Sequence, residues 1–402
     1  MNNRVVITGL GIVSSIGIGW KEFWGNLLDG RSGISPVTSF DTTNHFTHNG
    51  GEVRDFRAEY FISADRLPFM NRATQMAVAS AKLAWDDAGL TADDAAKYTI
   101  GVSHGTTFGS IQTIEFVNDA LMQHRRPDSR MCEQLLTHTV PAFVAKELMV
   151  SGPNMMLSTA CAAGNYAIGY GYDLIRLKRA DMMVVGASDP FSRIAFTGFN
   201  QFKAVAPEKC QPFDRDRKGM IVAEGAGALI LESMASAMAR KAPIYAEVAG
   251  YGLSCDAYHM TTSTIEGIAS CMKKALTDAG LVTEEVDYIS AHGTGTQTND
   301  KNECAAIREV FGDRLRKIPV SSIKSMLGHA MGAASALEAI TCALAVKNDM
   351  IPPTTNYETP DPACDIDCVP NRARKHIVNI ALNNSYAFGG NNASLVVKKF
   401  IQ

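Results

Sequence analysis

The 402-residue chain has no apolar stretch of the roughly 18–20 residues that a helix needs to cross a bilayer. We also expect no cleavable leader, since residues 1–4 run straight into the apolar segment 5–7 with no cleavage region behind it. Its nine cysteines have irregular spacing, which favours reduced thiols over a disulfide framework. We therefore expect a cytoplasmic protein with no membrane contact.

The chain also has little net charge of either sign, and this limits the kinds of partner that it can attract by charge. The net charge is −3 and the isoelectric point about 6.3, so bulk charge does not attract nucleic acid. The one dense run of charges, residues 214–218, mixes both signs and is interpreted as a solvated face. With 46% apolar and 20% charged residues, the composition is that of an ordinary globular protein.

Two motifs in the chain are incomplete. Cys364 and Cys368 are spaced like half of a zinc site, but no second pair accompanies them, so we interpret them as loop cysteines. Gly9 and Gly11 follow the first predicted strand as in a dinucleotide-binding loop, but Ser14 stands where the third glycine belongs. An NAD-binding oxidoreductase is therefore a weak alternative.

Strand-like and helix-like segments alternate along the whole chain, which predicts an α/β protein. Segment 334–346 is nearly apolar all round, as is typical of a helix enclosed between sheets. A modest seam lies near residue 250, and no repeat is visible in the sequence. Strands are predicted at 5–9, 99–102, 181–186, 225–231, 243–248, 286–290, 377–382 and 393–398, and helices at 75–88, 265–279 and 335–348.

Cys161 is the most informative residue. It lies among small residues at 158–165, directly after the apolar run 155–157. A strand that ends at residue 159 and a helix that begins after Cys161 would place the sulfur at a helix N-terminus, where the backbone favours negative charge. The thiolate is the nucleophilic form of cysteine. The alternative is a buried structural cysteine, which is common for a free thiol.

Two histidines occur in similar surroundings. A predicted strand leads to His292 in a loop with Thr294 and Thr296, whose hydroxyls could hold an amide-containing substrate arm. His329 follows Lys324 by five residues in an otherwise uncharged segment, and a buried lysine needs an anionic or hydrogen-bonding partner. The alternatives are a loop histidine that caps backbone, and a solvated lysine beside a core histidine.

Taken together, these segments resemble the β-ketoacyl-acyl-carrier-protein synthases of the decarboxylating, two-histidine type, the elongating ketosynthases of type II fatty acid and polyketide synthesis. Segments 5–11, 212–219, 223–227 and 256–260 also carry the resemblance, which covers nearly the whole chain. It implies a thiolase-like five-layered α-β-α-β-α fold made of two similar halves. We place these halves at 1–249, with Cys161, and at 250–402, with His292, Lys324, His329 and the Phe388 loop.

The resemblance also implies a reaction. An acyl group on the enzyme condenses with a malonyl group on an acyl carrier protein, with loss of CO₂, to give a β-ketoacyl-carrier protein. No cofactor is implied, because phosphopantetheine on the carrier protein carries the substrates. The expected assembly is a homodimer, or a heterodimer with a related ketosynthase-like chain.

Roles for individual residues follow from the same resemblance. Cys161 would hold the acyl chain as a thioester, and the backbone N–H groups of Cys161 and Phe388 would form the oxyanion hole. His292 and His329 would bind the malonyl carbonyl, and Lys324 would fix His329. Thr294 and Thr296 would contact the phosphopantetheine arm. Phe388, beside Gly389, would act as the gate between the acyl pocket and the malonyl site. A structural monovalent cation would be surrounded by Glu303, Glu338 and Ser385.

The paired glycines Gly389 and Gly390 free the backbone for close approach to a ligand, although a tight hairpin would also explain them. Ala387 precedes Phe388 where the family usually has glycine, so the motion of the gate is expected to differ.

Other departures concern the acyl pocket. Phe108 stands where the family often has a smaller apolar residue, and Met131 falls near the pocket end contributed across the dimer. The segment after Met260 is shorter than usual. These departures favour short, bent or unusual acyl chains, in a type II polyketide or aryl-polyene pathway rather than housekeeping elongation.

Three nearer alternatives remain. A thiolase would use a second cysteine in a C-terminal Cys-x-Gly motif, but none follows Cys368. An initiating synthase of the Cys-His-Asn type would not have the segment with Lys324 and His329. A non-catalytic ketosynthase partner would have lost the nucleophile, whereas Cys161 is present.

Overall fold

A computed structural model describes residues 4–401. Within that range the strands are β1 Val5–Ser14, β2 Gly17–Ile18, β3 Ser35–Pro36, β4 Asn49–Gly50, β5 Ile100–Gly105, β6 Asn154–Leu157, β7 Met182–Asp189, β8 Gly225–Ser233, β9 Ala246–Cys255, β10 Tyr288–Ser290, β11 Val320–Ser321, β12 Met350–Ile351, β13 Arg374–Lys375, β14 Ile380–Tyr386 and β15 Asn391–Lys398. The helices are α1 Trp20–Leu28, α2 Arg72–Asp87, α3 Ala92–Lys97, α4 Ile111–Met122, α5 Met131–Gln134, α6 Thr139–Leu148, α7 Ala163–Arg176, α8 Arg193–Gln201, α9 Met234–Ala239, α10 Ile265–Ala279, α11 Gln297–Phe311, α12 Lys324–Leu327 and α13 Gly332–Asn348.

The main sheet contains the same five-stranded arrangement twice. The first half has the order β1-β8-β7-β5-β6, and the second has β9-β15-β14-β10-β11. When the five strands of each half are numbered along the chain, they lie side by side in the order 1-5-4-2-3. In both halves the first two neighbouring pairs in this order are antiparallel and the last two are parallel. Antiparallel pairing of β1 with β9 joins the halves. The two similar halves are therefore confirmed, although their sequences show no visible repeat.

The helices complete five layers. The central layer is α7 and α13, which contact each other and strands of both halves. The outer layer of the first half contains α2, which packs on β1 and β8, and that of the second contains α10, which packs on β9 and β15. Helix α13 is buried from Gly332 to Val346, as its nearly apolar sequence predicts. The thiolase-like α-β-α-β-α prediction is thus confirmed.

The glycines of β1 allow helix α2 to pack closely against this strand. A Cβ on Gly9 would lie 2.1 Å from the carbonyl oxygen of Ala84, and one on Gly11 would lie 1.8 Å from that of Ser80. Both glycines are inside a strand and let α2 approach it closely, whereas a dinucleotide-binding loop needs them at a strand-to-helix turn. This explains the glycine pair without a nucleotide.

Two sequence predictions need comment. The run 214–218 is not wholly a solvated face, because Asp214 and Arg217 are buried. Arg217 pairs with Asp361 and donates to the carbonyl of Thr296, so the mixed charges partly neutralise one another inside the protein. Residue 250 lies inside β9, which begins at Ala246, and the division into 1–249 and 250–402 stays a prediction. Across residues 4–401, no helix combines the length and apolar character that a membrane span requires.

Candidate active site

Cys161 lies in a sharp strand-to-helix turn. Strand β6 ends at Leu157, a 3-10 turn spans Ala160–Ala162, and α7 begins at Ala163. Ala160 has φ of +48°, a strained conformation for a residue with a Cβ. The thiol is therefore fixed at the N-terminus of a central helix, where it is 7% exposed.

His292 and His329 come from the second half of the chain and meet this thiol. His292 follows β10, and His329 lies just before α13. Their rings are 5.4 Å apart and nearly perpendicular. One side-chain atom from each of Cys161, His292 and His329 falls within a group whose members are all within 4.8 Å of one another. All three residues are buried.

Both imidazoles are neutral. Burial is the largest cause that lowers the pKa of His292 and of His329 well below the usual value, and the charge of Lys324 lowers both further. The backbone N–H of Met331 donates to Nδ1 of His329 at 3.2 Å, so the proton of this neutral ring is on Nε2. His329 therefore presents an N–H donor to a ligand.

Lys324 is held by a buried ion pair. Its Nζ donates to the backbone carbonyl of His292 at 2.6 Å and pairs with Glu338, and both side chains are 1% exposed. Burial raises the pKa of Glu338 to about 7, which Lys324 opposes. The resemblance implies that Lys324 fixes His329, whereas its hydrogen bonds fix the backbone of His292.

Burial also controls the nucleophile. It raises the pKa of the Cys161 thiol to about 12, although Lys324 and the backbone N–H groups of Phe388 and Cys161 lower it. The helix N-terminus therefore does not produce a resting thiolate, contrary to the simplest expectation from the sequence. Two backbone N–H groups thus act on the sulfur, and the oxyanion hole that they would form stays a prediction.

The Phe388 loop closes one side of the site. It joins β14 to β15, and Gly389 and Gly390 have φ of +84° and +81°. The glycine pair therefore forms a tight turn directly after Phe388, which lines the cleft together with Cys161. The Phe388 ring lies 5.9 Å from that of Phe199 and 6.5 Å from that of Phe202, both at or beside the end of α8.

A cleft with about 600 Å³ of empty volume, including its open mouth, leads to the three reactive side chains. Thr294 and Thr296 line it, and their hydroxyls are 3.0 Å apart. Several further lining residues were not predicted from the sequence, although the hydroxyl-rich run after Met260 was a signal for three of them. These missed residues include Thr261, Thr262, Ser263, Asn302, Phe199 and Tyr386.

The residues predicted for the acyl pocket lie farther out. Phe108 is not part of the cleft wall. Its ring is 6.5 Å from that of Phe199, and Phe199 does line the cleft. Phe388, Phe199 and Phe108 thus form an aromatic series that leads away from the cleft. Met131 begins the short helix α5 and is outside the cleft wall.

The three residues implied for a cation have separate partners. Glu303 accepts from the backbone N–H groups of His292 and Gly293, each at 2.8 Å. Glu338 pairs with Lys324, and Ser385 donates to the carbonyl of Cys161 at 2.8 Å. Oε2 of Glu338 is buried and accepts no hydrogen bond within residues 4–401. An oxygen that binds a cation would be in the same state. The cation site stays a prediction.

Comparison with known proteins agrees with this geometry. The family described as Beta-ketoacyl synthase, N-terminal domain matches residues 2–237, and Beta-ketoacyl synthase, C-terminal domain matches residues 245–358. The 3-oxoacyl-[acyl-carrier-protein] synthase 2 of Staphylococcus aureus is 40% identical over 409 residues, which cover 99% of each protein.

Solved structures extend the comparison. The ishigamide ketosynthase/chain length factor is 46% identical, with a TM-score of 0.97 and full coverage of both chains. A type II PKS acyl-carrier protein in complex with its ketosynthase bound to the hexaketide gives 34% identity and a TM-score of 0.92, also with full coverage. Since two family domains cover most of the chain and relatives align along its whole length, the protein belongs to the β-ketoacyl synthase family.

Proposed function

We propose that the protein is a β-ketoacyl-[acyl-carrier-protein] synthase, an acyltransferase that performs a decarboxylating Claisen condensation. The observation that carries this proposal is the buried group of Cys161, His292 and His329, with reactive atoms within 4.8 Å of one another. A nucleophilic thiol beside two neutral imidazoles suits acyl transfer followed by enolate formation.

The first step transfers the acyl group to the enzyme. The Cys161 sulfur attacks the thioester carbonyl of the acyl-carrier protein, and the bond between that carbonyl and the carrier sulfur breaks. The proton of the Cys161 thiol leaves with the carrier thiol, so no free thiolate has to persist in a site that disfavours it. The N–H groups of Cys161 and Phe388 stabilise the developing oxyanion.

The second step uses the histidines. The carbonyl of a malonyl thioester accepts hydrogen bonds from His292 and His329, and the bond to the carboxylate breaks to release CO₂ and an enolate. The enolate carbon attacks the acyl group on Cys161, the carbon–sulfur bond breaks, and the sulfur regains a proton. Neutral donors that are already oriented help most when charge develops in the transition state.

The hydroxyl-lined cleft supports a phosphopantetheine arm on an acyl carrier protein as the substrate carrier. The arm has amide groups that Thr294 and Thr296 can bind, and both line the route to Cys161. No other cofactor is required by this chemistry. The proposed location is the cytoplasm, where thiols stay reduced.

A type II polyketide pathway is favoured over housekeeping elongation. The ishigamide ketosynthase/chain length factor shares 46% identity with the whole chain, against 40% for the 3-oxoacyl-[acyl-carrier-protein] synthase 2 of Staphylococcus aureus. The aromatic series that ends at Phe108 also suits short, bent or unusual acyl chains. We further propose assembly with a related ketosynthase-like chain, with Met131 at the interface, and with a homodimer as the alternative.

The test is acyl transfer to Cys161. Wild-type protein should gain the mass of the acyl group and release CO₂ from malonyl-carrier protein, whereas Cys161→Ala should lose condensation by at least about a thousandfold. Cys255→Ala is the matched control, because Cys255 is exposed near the Phe388 loop and should be dispensable. Condensation by Cys161→Ala would refute the proposal, and condensation without CO₂ release would favour a thiolase.

A further inference from the structure

Asp189 is a fully buried carboxylate that the proposed chemistry does not use. It is the last residue of β7, and its exposure is 0%. Within residues 4–401 it forms no ion pair, and its negative charge is instead satisfied by N–H and O–H donors. The four closest donors, each at 2.8 Å, are the Thr106 hydroxyl and the backbone N–H groups of Thr107, Phe108 and Gly332.

Three of these donors belong to the turn that carries Phe108. The hydroxyl of Thr106 also accepts from the N–H of Gly109 at 2.8 Å, so the turn closes around the carboxylate. Because the backbone N–H of Phe108 is bound to Oδ1, Asp189 holds the backbone from which the Phe108 ring extends toward Phe199. Asp189 therefore sets where the aromatic series ends.

The fourth donor belongs to the histidine side of the site. Gly332 is the first residue of α13, and its neighbour Met331 donates its N–H to Nδ1 of His329. Met331 has φ of +51°, an unfavourable conformation that its surroundings must maintain. A Cβ on Gly332 would lie 2.8 Å from Oδ2 of Asp189, so the carboxylate and this backbone are in tight contact.

We propose that Asp189 is a positioning residue that fixes the end of the acyl pocket and the decarboxylating histidine at the same time. Oδ1 mainly holds the Phe108 turn, and Oδ2 holds the start of α13 behind His329. One side chain thus keeps the two substrate sites at a set separation. This inference rests on the proposed function, because it assigns the two ends of Asp189 to its two half-reactions.

The variant Asp189→Asn weakens the contacts of Asp189 with the Phe108 turn, with the start of α13, or with both. An amide keeps one acceptor oxygen, and its NH₂ group faces donors that it cannot bind, so at least one side of the arrangement is released. A lost hydrogen bond to a buried charge changes an equilibrium by roughly 10- to 100-fold. We expect about a tenfold or larger change in the relative loading of acyl chains that differ by two carbons, together with a comparable loss of CO₂ release.

Thr106→Val is the single-sided control. It removes a donor from the turn and leaves Gly332 in place, so it should change chain-length preference and keep CO₂ release within about threefold. Gly332→Ala would place a Cβ 2.8 Å from Oδ2 and 2.9 Å from the backbone N of Thr107, so it should disturb both ends, slowing CO₂ release and changing chain-length preference together. These variants also test the proposal if Asp189→Asn does not fold.

The readouts are mass spectra of Cys161 loaded from a mixture of saturated acyl-carrier thioesters, and CO₂ release from malonyl-carrier protein by the loaded enzyme. Equal losses in both half-reactions with unchanged chain-length preference, in all three variants, would show a merely structural role and overturn the inference. Failure of the wild-type protein to condense would refute the proposed function instead.

Discussion

Replacing Phe108 by alanine should lengthen the acyl chain that Cys161 accepts. The Phe108 ring lies 6.5 Å from that of Phe199, and Phe199 forms part of the cleft wall. Since Phe108 is only partly buried at the edge of its apolar cluster, its side chain can be removed with little effect on the core. The space it leaves adjoins the end of the aromatic series, where an acyl chain that passes Phe199 would arrive.

The expected size of the effect follows from apolar burial. Each buried methylene contributes about 0.8 kcal/mol, so two more carbons in the enlarged pocket contribute about 1.6 kcal/mol. This corresponds to about a fifteenfold change in preference between chains that differ by one round of elongation. Phe108→Leu should give a smaller change in the same direction, since it frees less volume.

The assay is competition between pairs of saturated acyl-carrier thioesters, with the Cys161 adducts quantified by mass spectrometry. Phe202→Ala is the matched control, because Phe202 contacts Phe388, is 64% exposed and has no ring contact with Phe108 within residues 4–401. An unchanged preference in Phe108→Ala would show that the acyl chain does not reach Phe108. A similar change in Phe202→Ala would place the selection at the Phe388 loop.

Two further predictions concern buried charge. Lys324→Met should lower the free energy of unfolding by about 3–5 kcal/mol, because Glu338 loses its partner; a guanidinium unfolding midpoint equal to that of the wild type would contradict the buried pair. Burial keeps His292 and His329 neutral, so CO₂ release should not fall as pH is lowered through about 6.5, and a loss centred there would contradict neutral donors. Unfolding should nevertheless become easier over that range, because only the unfolded chain binds protons at these histidines.

The sequence was sufficient for the fold because local patterns and the resemblance agreed. Helix α10 has the predicted bounds, since Thr264 accepts from the N–H of Gly267 at its start and Gly280 takes the left-handed conformation at its end. The buried helix α13 was evident from its apolar sequence alone. The repeated strand order had no comparable signal, because a shared topology requires similar hydrophobic patterns and not similar residues.

The site was predictable in part. Small residues around Cys161 and His292 marked two of its loops, but nothing local showed that Arg217 is buried against Asp361. The state of the thiol was also beyond the sequence, because it depends on how completely the second half covers the first. Asp189 had no motif at all, and its importance comes from donors that are distant along the chain.

The duplicated architecture has a consequence for how such a protein can change over time. Cys161 immediately precedes α7 and His329 lies just before α13, and these helices occupy equivalent places in the two halves. Under the proposed function, the two copies of one scaffold have different duties, covalent capture in one and charge stabilisation in the other. Loss of either residue would leave the layers intact, so a folded descendant without catalysis is readily reached by substitution at a single position.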